Sequence, residues 1–320
     1  MSDTPQIKIK KNRPFLIDLV VRLVKEKPMG TVGGAIVLIL FLAGIFANLI
    51  APYTYDEMDL ANRLSPPSVT HLLGTDQLGR DMLSRIIFGA RISMIESISG
   101  AALAIILATI IGIISGFLGG KTDLIIQRFV DGWMCFPGLF VILSVMAIVK
   151  PGLLQVIIVL GTIGGIGYSR VIRSAVIGIK ENIYVGAAES IGATSWQIVI
   201  KHILPNIMPT IVIIYTLGMG QMILSEATLS FLGFGVPPPA PAWGSMLNGA
   251  GLTYMYKSPW LALWPGLALS IAIFGMNMLG DAIRDILDPK LRGGLGRYSG
   301  TKIQKIHMKK VAGLNNKTTL

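Results

Sequence analysis

Residues 184–206 read Y-V-G-A-A-E-S-I-G-A-T-S-W-Q-I-V-I-K-H-I-L-P-N and form a polar segment between two long apolar stretches. Ile183, Ala187 and Ile191 recur at one-turn spacing, which predicts a short helix with an apolar face. Gly192 suits the left-handed backbone position that commonly follows the end of a helix. The segment therefore begins with a predicted short helix that ends at a bend.

A second short helix is predicted directly after this bend. Thr194 and Gln197 have the spacing of a capping box, and four apolar residues then follow at helical spacing: Trp196, Val199, Ile200 and Ile203. Pro205 has no N–H with which to continue the helix, so we expect the chain to change direction there. Periodicity alone leaves two interpretations open: a stiff connector that is pushed by a soluble partner, or an amphipathic connector that lies on the lipid surface.

The segment resembles the cytoplasmic coupling loop of ABC-importer permeases, whose pattern is E-A-A, three residues, Gly, nine residues and I-x-L-P. Here the first Glu is replaced by Gly186 and the Ile by His202, while the H-I-L-P-N ending is typical of the peptide-transporter branch. The resemblance implies that an ATPase subunit contacts this loop. The residues implied to take part are Ala187, Ala188, Glu189, Gly192, Trp196, His202, Ile203, Leu204 and Pro205.

Composition indicates an all-α membrane protein. Of the 320 residues, 52% are hydrophobic and 14% are charged, against roughly 25% charged residues in a soluble domain. Uncharged apolar runs predict six transmembrane helices, since each run reaches or approaches the ~20 residues that a bilayer helix needs. The predicted spans are about 30–50, 97–118, 132–149, 152–169, 206–225 and 259–280. The uncharged run 227–256 fails as a span because it is rich in proline.

The net charge of +11 is distributed unevenly along the chain. Of the 28 Lys and Arg residues, 22 lie in both termini and in the loops after the second and fourth predicted spans. The positive-inside rule therefore places both termini and the loop 170–205 in the cytoplasm, and this pattern argues against nucleic-acid binding. We predict a cytoplasmic segment 1–27 that is not a cleaved signal, a permease domain 28–292, and a disordered cytoplasmic tail 293–320.

Two external segments also resemble the second, C-type permease of peptide and nickel importers. Residues 74–93 carry G-T-D-Q-L-G-R-D-M-L-S-R, in which Asp76, Arg80, Asp81 and Arg85 either serve that family's function or start a helix with locally paired charges. Residues 226–247 contain four prolines and Trp243, which favours a rigid loop that seals the outer mouth, meets a binding protein or acts only as a plug.

Glycine-rich stretches raise two further alternatives. Residues 115–122, S-G-F-L-G-G-K-T, nearly match a phosphate-binding loop, but they follow a membrane helix where that loop requires a strand. We therefore predict no ATPase in this chain, and close helix packing at Gly112, Gly116 and Gly120. The fourth span contains Gly161, Gly164, Gly165 and Gly167, which indicate either close packing or a broken helix at a substrate site.

Three functions are compatible with these features: one half of an ABC importer, an ion-coupled secondary transporter, and a membrane scaffold that transports nothing. The six predicted spans contain no Asp, Glu or His, which disfavours proton coupling. Glu226 lies just beyond the fifth span. Its expected role is either to contact a cation or an amine, or to be a helix-end charge at the level of the lipid headgroups. No catalytic or metal site is predicted, because the lone Cys135 and the three scattered histidines have no ligand spacing.

The resemblance implies the type I ABC importer permease fold and a multi-pass protein of a bacterial or archaeal plasma membrane. It further implies a homologous B-type permease as heterodimer partner, two cytoplasmic ATPase subunits that use ATP and Mg²⁺, and an extracytoplasmic solute-binding protein. No cofactor is expected on this chain. The solute is expected to be a dipeptide or oligopeptide, or alternatively nickel or another small molecule, and Met219, Met222 and Ser225 are the expected path residues.

Overall fold

Thirteen α-helices, joined in places by short 3-10 or π segments, make up most of residues 15–287, the part of the chain that this computed structural model describes. In chain order the helices are α1 (Phe15–Glu26), α2 (Pro28–Ile45), α3 (Ala47–Ile50), α4 (Met82–Leu118), α5 (Gly120–Met134), α6 (Gly138–Val149), α7 (Leu153–Lys180), α8 (Ile183–Ser190), α9 (Ser195–Ile198), α10 (Leu204–Phe231), α11 (Trp243–Met246), α12 (Leu252–Tyr254) and α13 (Trp260–Leu287).

The predicted all-α membrane architecture is confirmed. Five helical segments are long and apolar enough to cross a bilayer, and α5 with α6 makes a sixth if this pair, bent by 85°, is one span. The five segments are Pro28–Ile45, Met82–Leu118, Leu153–Lys180, Ser195–Phe231 and Trp260–Leu287. The predicted third span thus covers the last residues of α5, the bend and the twelve residues of α6.

Four of the long helices, α4, α7, α10 and α13, extend beyond the predicted spans. Helix α4 begins at Met82 because the Asp81 carboxylate caps it, accepting a hydrogen bond from the Ser84 N–H at 2.8 Å. Helix α10 runs to Phe231 and α13 runs to Leu287. An uncharged run marks only the stretch without ionisable residues, whereas a helix continues wherever its polar side chains find partners.

The predicted change of direction at Pro205 is wrong. A π turn at Val199–Ile203 precedes α10, and the Leu204 N–H donates to the Val199 carbonyl oxygen. This wider turn leaves room for the proline ring and requires no N–H from it. Residues Ser195–Phe231 therefore form one continuous helical segment.

Glycines set the close approach of α7 to α4. A Cβ on Gly112 would lie 2.7 Å from the Ile172 Cβ, and one on Gly165 would lie 2.8 Å from the Leu107 Cβ. Gly116 and Gly161 are similarly tight. Because α7 is unbroken from Leu153 to Lys180, the structure favours packing over a broken helix.

Two glycines of the predicted glycine-rich stretches, Gly120 and Gly167, do not pack against a neighbouring helix. A Cβ on Gly120 or Gly167 would meet no atom within 4 Å. Gly120 has φ +53° and, with Gly119 at φ +67°, forms the turn between α4 and α5, so its predicted packing role is wrong. A positive φ is the conformation that glycine adopts without steric cost.

The two ends of the described chain lie next to each other. Lys27 Nζ is 2.5 Å from the Asp285 carboxylate, which joins the start of α2 to the end of α13. Helix α1 lies within the predicted N-terminal segment 1–27. Residues 1–14 and 288–320, which include the predicted tail 293–320, lie outside the described residues.

Candidate coupling site

The bend of the 184–206 segment is built as its sequence predicts. Helix α8 ends at Ser190, and Gly192 follows with φ +86°. The Gly192 N–H donates to the Glu189 carbonyl oxygen at 2.9 Å, and the Ala193 N–H donates to the Ala188 carbonyl oxygen at 3.0 Å. These bonds satisfy carbonyl groups that the end of a helix would otherwise leave unpaired.

The predicted capping box at the start of α9 is also present. The Gln197 N–H donates to Thr194 Oγ1 at 3.3 Å, and the Thr194 N–H donates to Gln197 Oε1 at 2.9 Å. Only one residue, Ala193, separates Gly192 from this cap, so the geometry of the bend is fixed from both sides.

The buried side of α8 differs from the predicted apolar face. Ile183, Ala187 and Ile191 are exposed, whereas Val185 and Ala188 are buried. Helix α8 packs through Val185 and Ala188 because the π turn and α7 lie against this side of the helix. The periodicity of three apolar residues was correct, but the direction in which they face was not.

The segment is held to the membrane helices by a second hydrophobic core, which is separate from the main core around Trp243. Ile203 is fully buried in it, together with residues of α4, α7 and α10. His202 is half-buried and its ring lies 6.1 Å from that of Tyr184, which links the π turn to α8. Leu204 is half-buried, while Pro205 is exposed.

An apolar surface on the other side of the segment is exposed. It consists of Ile183, Ile191, Trp196 and Ile200, and Trp196 is 71% exposed. Ala187, Glu189 and Gly192 are also exposed, and Glu189 makes no ion pair within residues 15–287. We call the four apolar residues Ile183, Ile191, Trp196 and Ile200 the outer face of the coupling segment.

Ion pairs connect α5 to α7 near this segment. The Arg173 guanidinium donates to both oxygens of the Asp123 carboxylate, which also accepts from Ser115 Oγ. Arg170 Nη2 also forms an ion pair with Asp131 across these helices. Local sequence patterns do not reveal this network, because Arg173 and Asp123 lie 50 positions apart.

The charged residues of 74–93 form a helix-start cluster at the opposite end of α4. Asp76 accepts from the Leu78 and Arg80 backbone N–H groups and from Arg80 Nε at 2.6 Å. Arg85 Nη1 donates to the Tyr55 carbonyl oxygen at 2.9 Å. His71 Nδ1 lies 3.0 Å from the Asp81 carboxylate. Locally paired charges at a helix start, one of the two readings of this stretch, describe this geometry.

Trp243 holds the proline-rich loop against α4. The side chain is 1% exposed, and its indole N–H donates to the Ile86 carbonyl oxygen at 3.1 Å. A Cβ on Gly89 would lie 2.4 Å from the indole nitrogen, so this position accepts only glycine without movement. Among the described residues of 227–256, no helix is long enough to span a membrane.

Two acids are buried in the long helices, and the sequence pattern pointed to only one of them, Glu226. Glu96 of α4 is 0% exposed and Glu226 of α10 is 1% exposed. Neither oxygen of Glu96 has a hydrogen-bond partner in the described chain, whereas Glu226 accepts from Ser230 Oγ. Glu226 is therefore buried inside the chain, five residues before the end of α10 at Phe231. Glu96 escaped notice because a charged residue ends an uncharged run, which left it one residue outside the predicted span.

The expected path residues occupy different environments. Met219 and Met222 are buried in the main core, where the Met222 sulfur would lie 3.3 Å from a Cβ on Gly100. Ser225 is half-exposed and receives a long hydrogen bond of 3.4 Å from Gln221.

Comparison with known proteins assigns the architecture. Residues 108–293 match the family described as binding-protein-dependent transport system inner membrane component, and residues 15–67 match the N-terminal TM domain of oligopeptide transport permease C. The chain belongs to this family of transport permeases, and it is a multi-pass membrane protein of the ABC-transporter class.

Several curated relatives are similar over most of their length. The chain is 38% identical over 268 residues to the oligopeptide transport system permease protein OppC of Bacillus subtilis, covering 84% of this chain and 88% of the relative. It is 36% identical, with the same coverage, to the dipeptide transport system permease protein DppC of Alkalihalophilus pseudofirmus. It is also 36% identical to the glutathione transport system permease protein GsiD of Pectobacterium atrosepticum, over 81% and 86% of the two chains. The expected resemblance to peptide-importer permeases of the C type is confirmed.

Proposed function

We propose that this chain is one transmembrane half of an ATP-driven importer of short peptides and that the 184–206 segment couples it to a partner ATPase. The observation that carries the proposal is the outer face of the coupling segment: four exposed apolar residues on a bend with fixed geometry. An exposed apolar patch on a rigid support is typical of a protein-binding surface. A lipid-lying connector would bury the same residues in the bilayer, so the two interpretations make different predictions.

In the proposed mechanism, ATP and Mg²⁺ bind to the partner ATPase subunits, and closure of the ATPase pair moves the coupling segment as a rigid body. The buried contacts of Val185, Ala188 and Ile203 transmit this movement to α4, α7 and α10. Alternating access follows because ATP has different affinities for the two arrangements of the complex. The solute passes between this subunit and a homologous sister permease after delivery by an extracytoplasmic binding protein.

Site-specific crosslinking tests the coupling role. In a chain carrying Cys135→Ser, we expect Trp196→Cys to crosslink to the partner ATPase and Met58→Cys, an exposed residue of the segment between α3 and α4, not to do so. Lipid-only labelling of the cysteine at 196 would instead support the surface-lying connector. Uptake of a labelled dipeptide by the reconstituted complex, inhibited by vanadate, tests the driving force and the solute together.

An ion-coupled secondary transporter is the second candidate, and the buried Glu96 and Glu226 are the observation that favours it. Ionisable residues inside a membrane helix commonly mark ion or proton pathways. Uptake that continues in ATP-free vesicles with only an ion gradient would support this candidate. We favour the importer because the coupling segment has no role in a stand-alone carrier.

A further inference from the structure

A cavity of about 350 Å³ opens at the end of the molecule where α4 begins and α10 ends. Its wall combines the helix-start cluster of Asp76, Arg80 and Arg85 with the proline-rich loop and Ser230 at the end of α10. The volume lies within the range of ~300–1,000 Å³ typical of small-molecule sites. Nothing in the coupling mechanism uses this cavity.

The charges in the wall do not balance. Arg80 and Arg85 contribute two guanidinium groups, and Asp76 contributes one carboxylate; all three side chains are less than 10% exposed. The Asp76 carboxylate is already engaged by two backbone N–H groups and by Arg80 Nε. One carboxylate is therefore shared by two guanidinium groups, which leaves one net positive charge among these three residues of the cavity wall.

Arg85 carries this surplus. Its Nη1 donates to the Tyr55 carbonyl oxygen at 2.9 Å, and its Nε lies 3.7 Å from Asp76, which is too long for a hydrogen bond. A guanidinium has five N–H donors, so most of those of Arg85 have no acceptor among residues 15–287. The planar arrangement of these donors matches the two oxygens of a carboxylate.

The remaining wall is mainly apolar, and it ends beside an unsatisfied amide. Met82, Val236 and Leu261 line the cavity next to the guanidinium groups. Gln77 Oε1 is buried at the same cavity without a hydrogen-bond partner in the described chain. A ligand with an apolar body and one polar amide would complement these groups.

We propose that this cavity is a binding site for a small monocarboxylate with an apolar body, such as an N-acylated amino acid or the C-terminal residue of a short peptide, with Arg85 as the carboxylate-binding residue. The single surplus charge selects a monoanion over a dianion, and the apolar wall selects against small inorganic anions. The site requires neither ATP nor the coupling segment, so it stands independently of the proposed coupling role.

Direct binding to the full chain in lipid nanodiscs tests the site. The probes are N-acetyl-leucine, its neutral amide N-acetyl-leucinamide, and acetate, with affinities measured by saturation-transfer NMR. We expect N-acetyl-leucine to bind in the micromolar to millimolar range, and both other probes to bind at least about tenfold more weakly, because one lacks the charge and the other lacks the apolar body.

Three variants identify the location of this binding. Arg85→Gln removes the charge, and Ala240→Phe fills the cavity while keeping both guanidinium groups; each should weaken N-acetyl-leucine binding at least fivefold. Arg63→Gln removes the same charge from an exposed position of the same external segment and should change nothing. Ala240→Phe keeps the test valid if Arg85→Gln does not fold.

Three outcomes would overturn the proposal. They are no saturable binding of N-acetyl-leucine up to tens of millimolar, equal binding of the acid and its amide, and unchanged binding in Ala240→Phe. Failure of ATP-dependent uptake in the complex would concern the proposed coupling function and would leave the result of this binding experiment unaffected.

Discussion

The Ala193 backbone N–H donates a hydrogen bond to the Ala188 carbonyl oxygen at 3.0 Å, and this bond spans the left-handed residue Gly192. It joins the end of α8 to the cap of α9, so the relative orientation of the two short helices depends on one glycine. The outer face includes residues on both sides of this bond, namely Ile183 and Ile191 before it and Trp196 after it.

Replacing Gly192 by Val should uncouple the transporter. A β-branched residue at φ +86° costs about 1–2 kcal/mol, because its Cβ approaches the neighbouring carbonyl oxygen. We expect ATP-dependent uptake to fall about fivefold or more while the amount of chain in the membrane stays the same. Gly178→Val is the matched control, since Gly178 has a helical backbone and an open Cβ position. Normal uptake in the Gly192 variant would contradict the coupling role.

Trp196→Ala should separate partner binding from stability. Its side chain is mostly exposed, so the unfolding free energy should change by less than about 0.5 kcal/mol. A tryptophan at the centre of an interface often contributes 2 kcal/mol or more, so affinity for the partner ATPase should fall about tenfold or more. Affinity is measured by titrating the purified ATPase onto the reconstituted chain, and an unchanged affinity would remove Trp196 from the interface.

Trp243→Ala should have the opposite pattern. Its indole is buried and hydrogen-bonded to Ile86, so truncation should destabilise the chain by about 3–5 kcal/mol. A lower unfolding temperature in detergent, with unchanged affinity for the ATPase in the folded fraction, is the expected result. If the Trp243 and Trp196 variants behaved alike, the distinction between a packing residue and a docking residue would be wrong.

The Arg173–Asp123 pair should contribute measurably to the attachment of α5 to α7. Both side chains are partly shielded, and the bidentate geometry is favourable. A double-mutant cycle with Arg173→Gln and Asp123→Asn should give a coupling free energy of about 1 kcal/mol. The same cycle on Arg128 and Asp131, which are 4.0 Å apart and more exposed, should give a value near zero. Equal values would show that the network does not hold these helices together.

Glu96→Gln should leave ATP-driven uptake intact. Glu96 is fully buried and its oxygens are unpaired in the described chain, a setting that disfavours the charged carboxylate, so a neutral amide of the same shape should be tolerated there. Glu57→Gln, which changes an exposed acid outside the coupling segment, is the control for the loss of one formal charge. Loss of uptake in the Glu96 variant alone, together with ion-gradient dependence, would favour the secondary transporter.

Local sequence signals predicted the bend of the coupling segment. They did not predict which residues of the segment are buried, because packing against distant parts of the chain determines that. The capping box at Thr194 and the left-handed Gly192 depend on neighbours within five residues, so their residue types are sufficient to identify them. The direction in which Ile183 and Ile191 face depends on the positions of α7 and the π turn. The spacing of residues within one helix carries no information about those positions. Gly116 and Gly120 show the same difference, since only the first meets α7.

The limits of the membrane helices were mispredicted for a physical reason. A search for uncharged runs stops at the first ionisable residue, although a buried acid such as Glu96 can continue a helix that is shielded by neighbouring helices. The π turn before Pro205 has no composition signal of its own, because the same residues fit an α-helix equally well. The cavity beside Arg85 likewise joins residues that are more than 150 positions apart.

The helix continues through Pro205, so residues from Ser195 to Phe231 form one long helical segment. At 1.5 Å per residue, its 37 residues reach about 55 Å, more than the thickness of a bilayer. Trp196 lies near one end of this segment. Ser230, in the wall of the cavity beside Arg85, lies near the other end. No loop lies between these two ends, so one helical segment, with a π turn at Val199–Ile203, connects the coupling segment to the cavity.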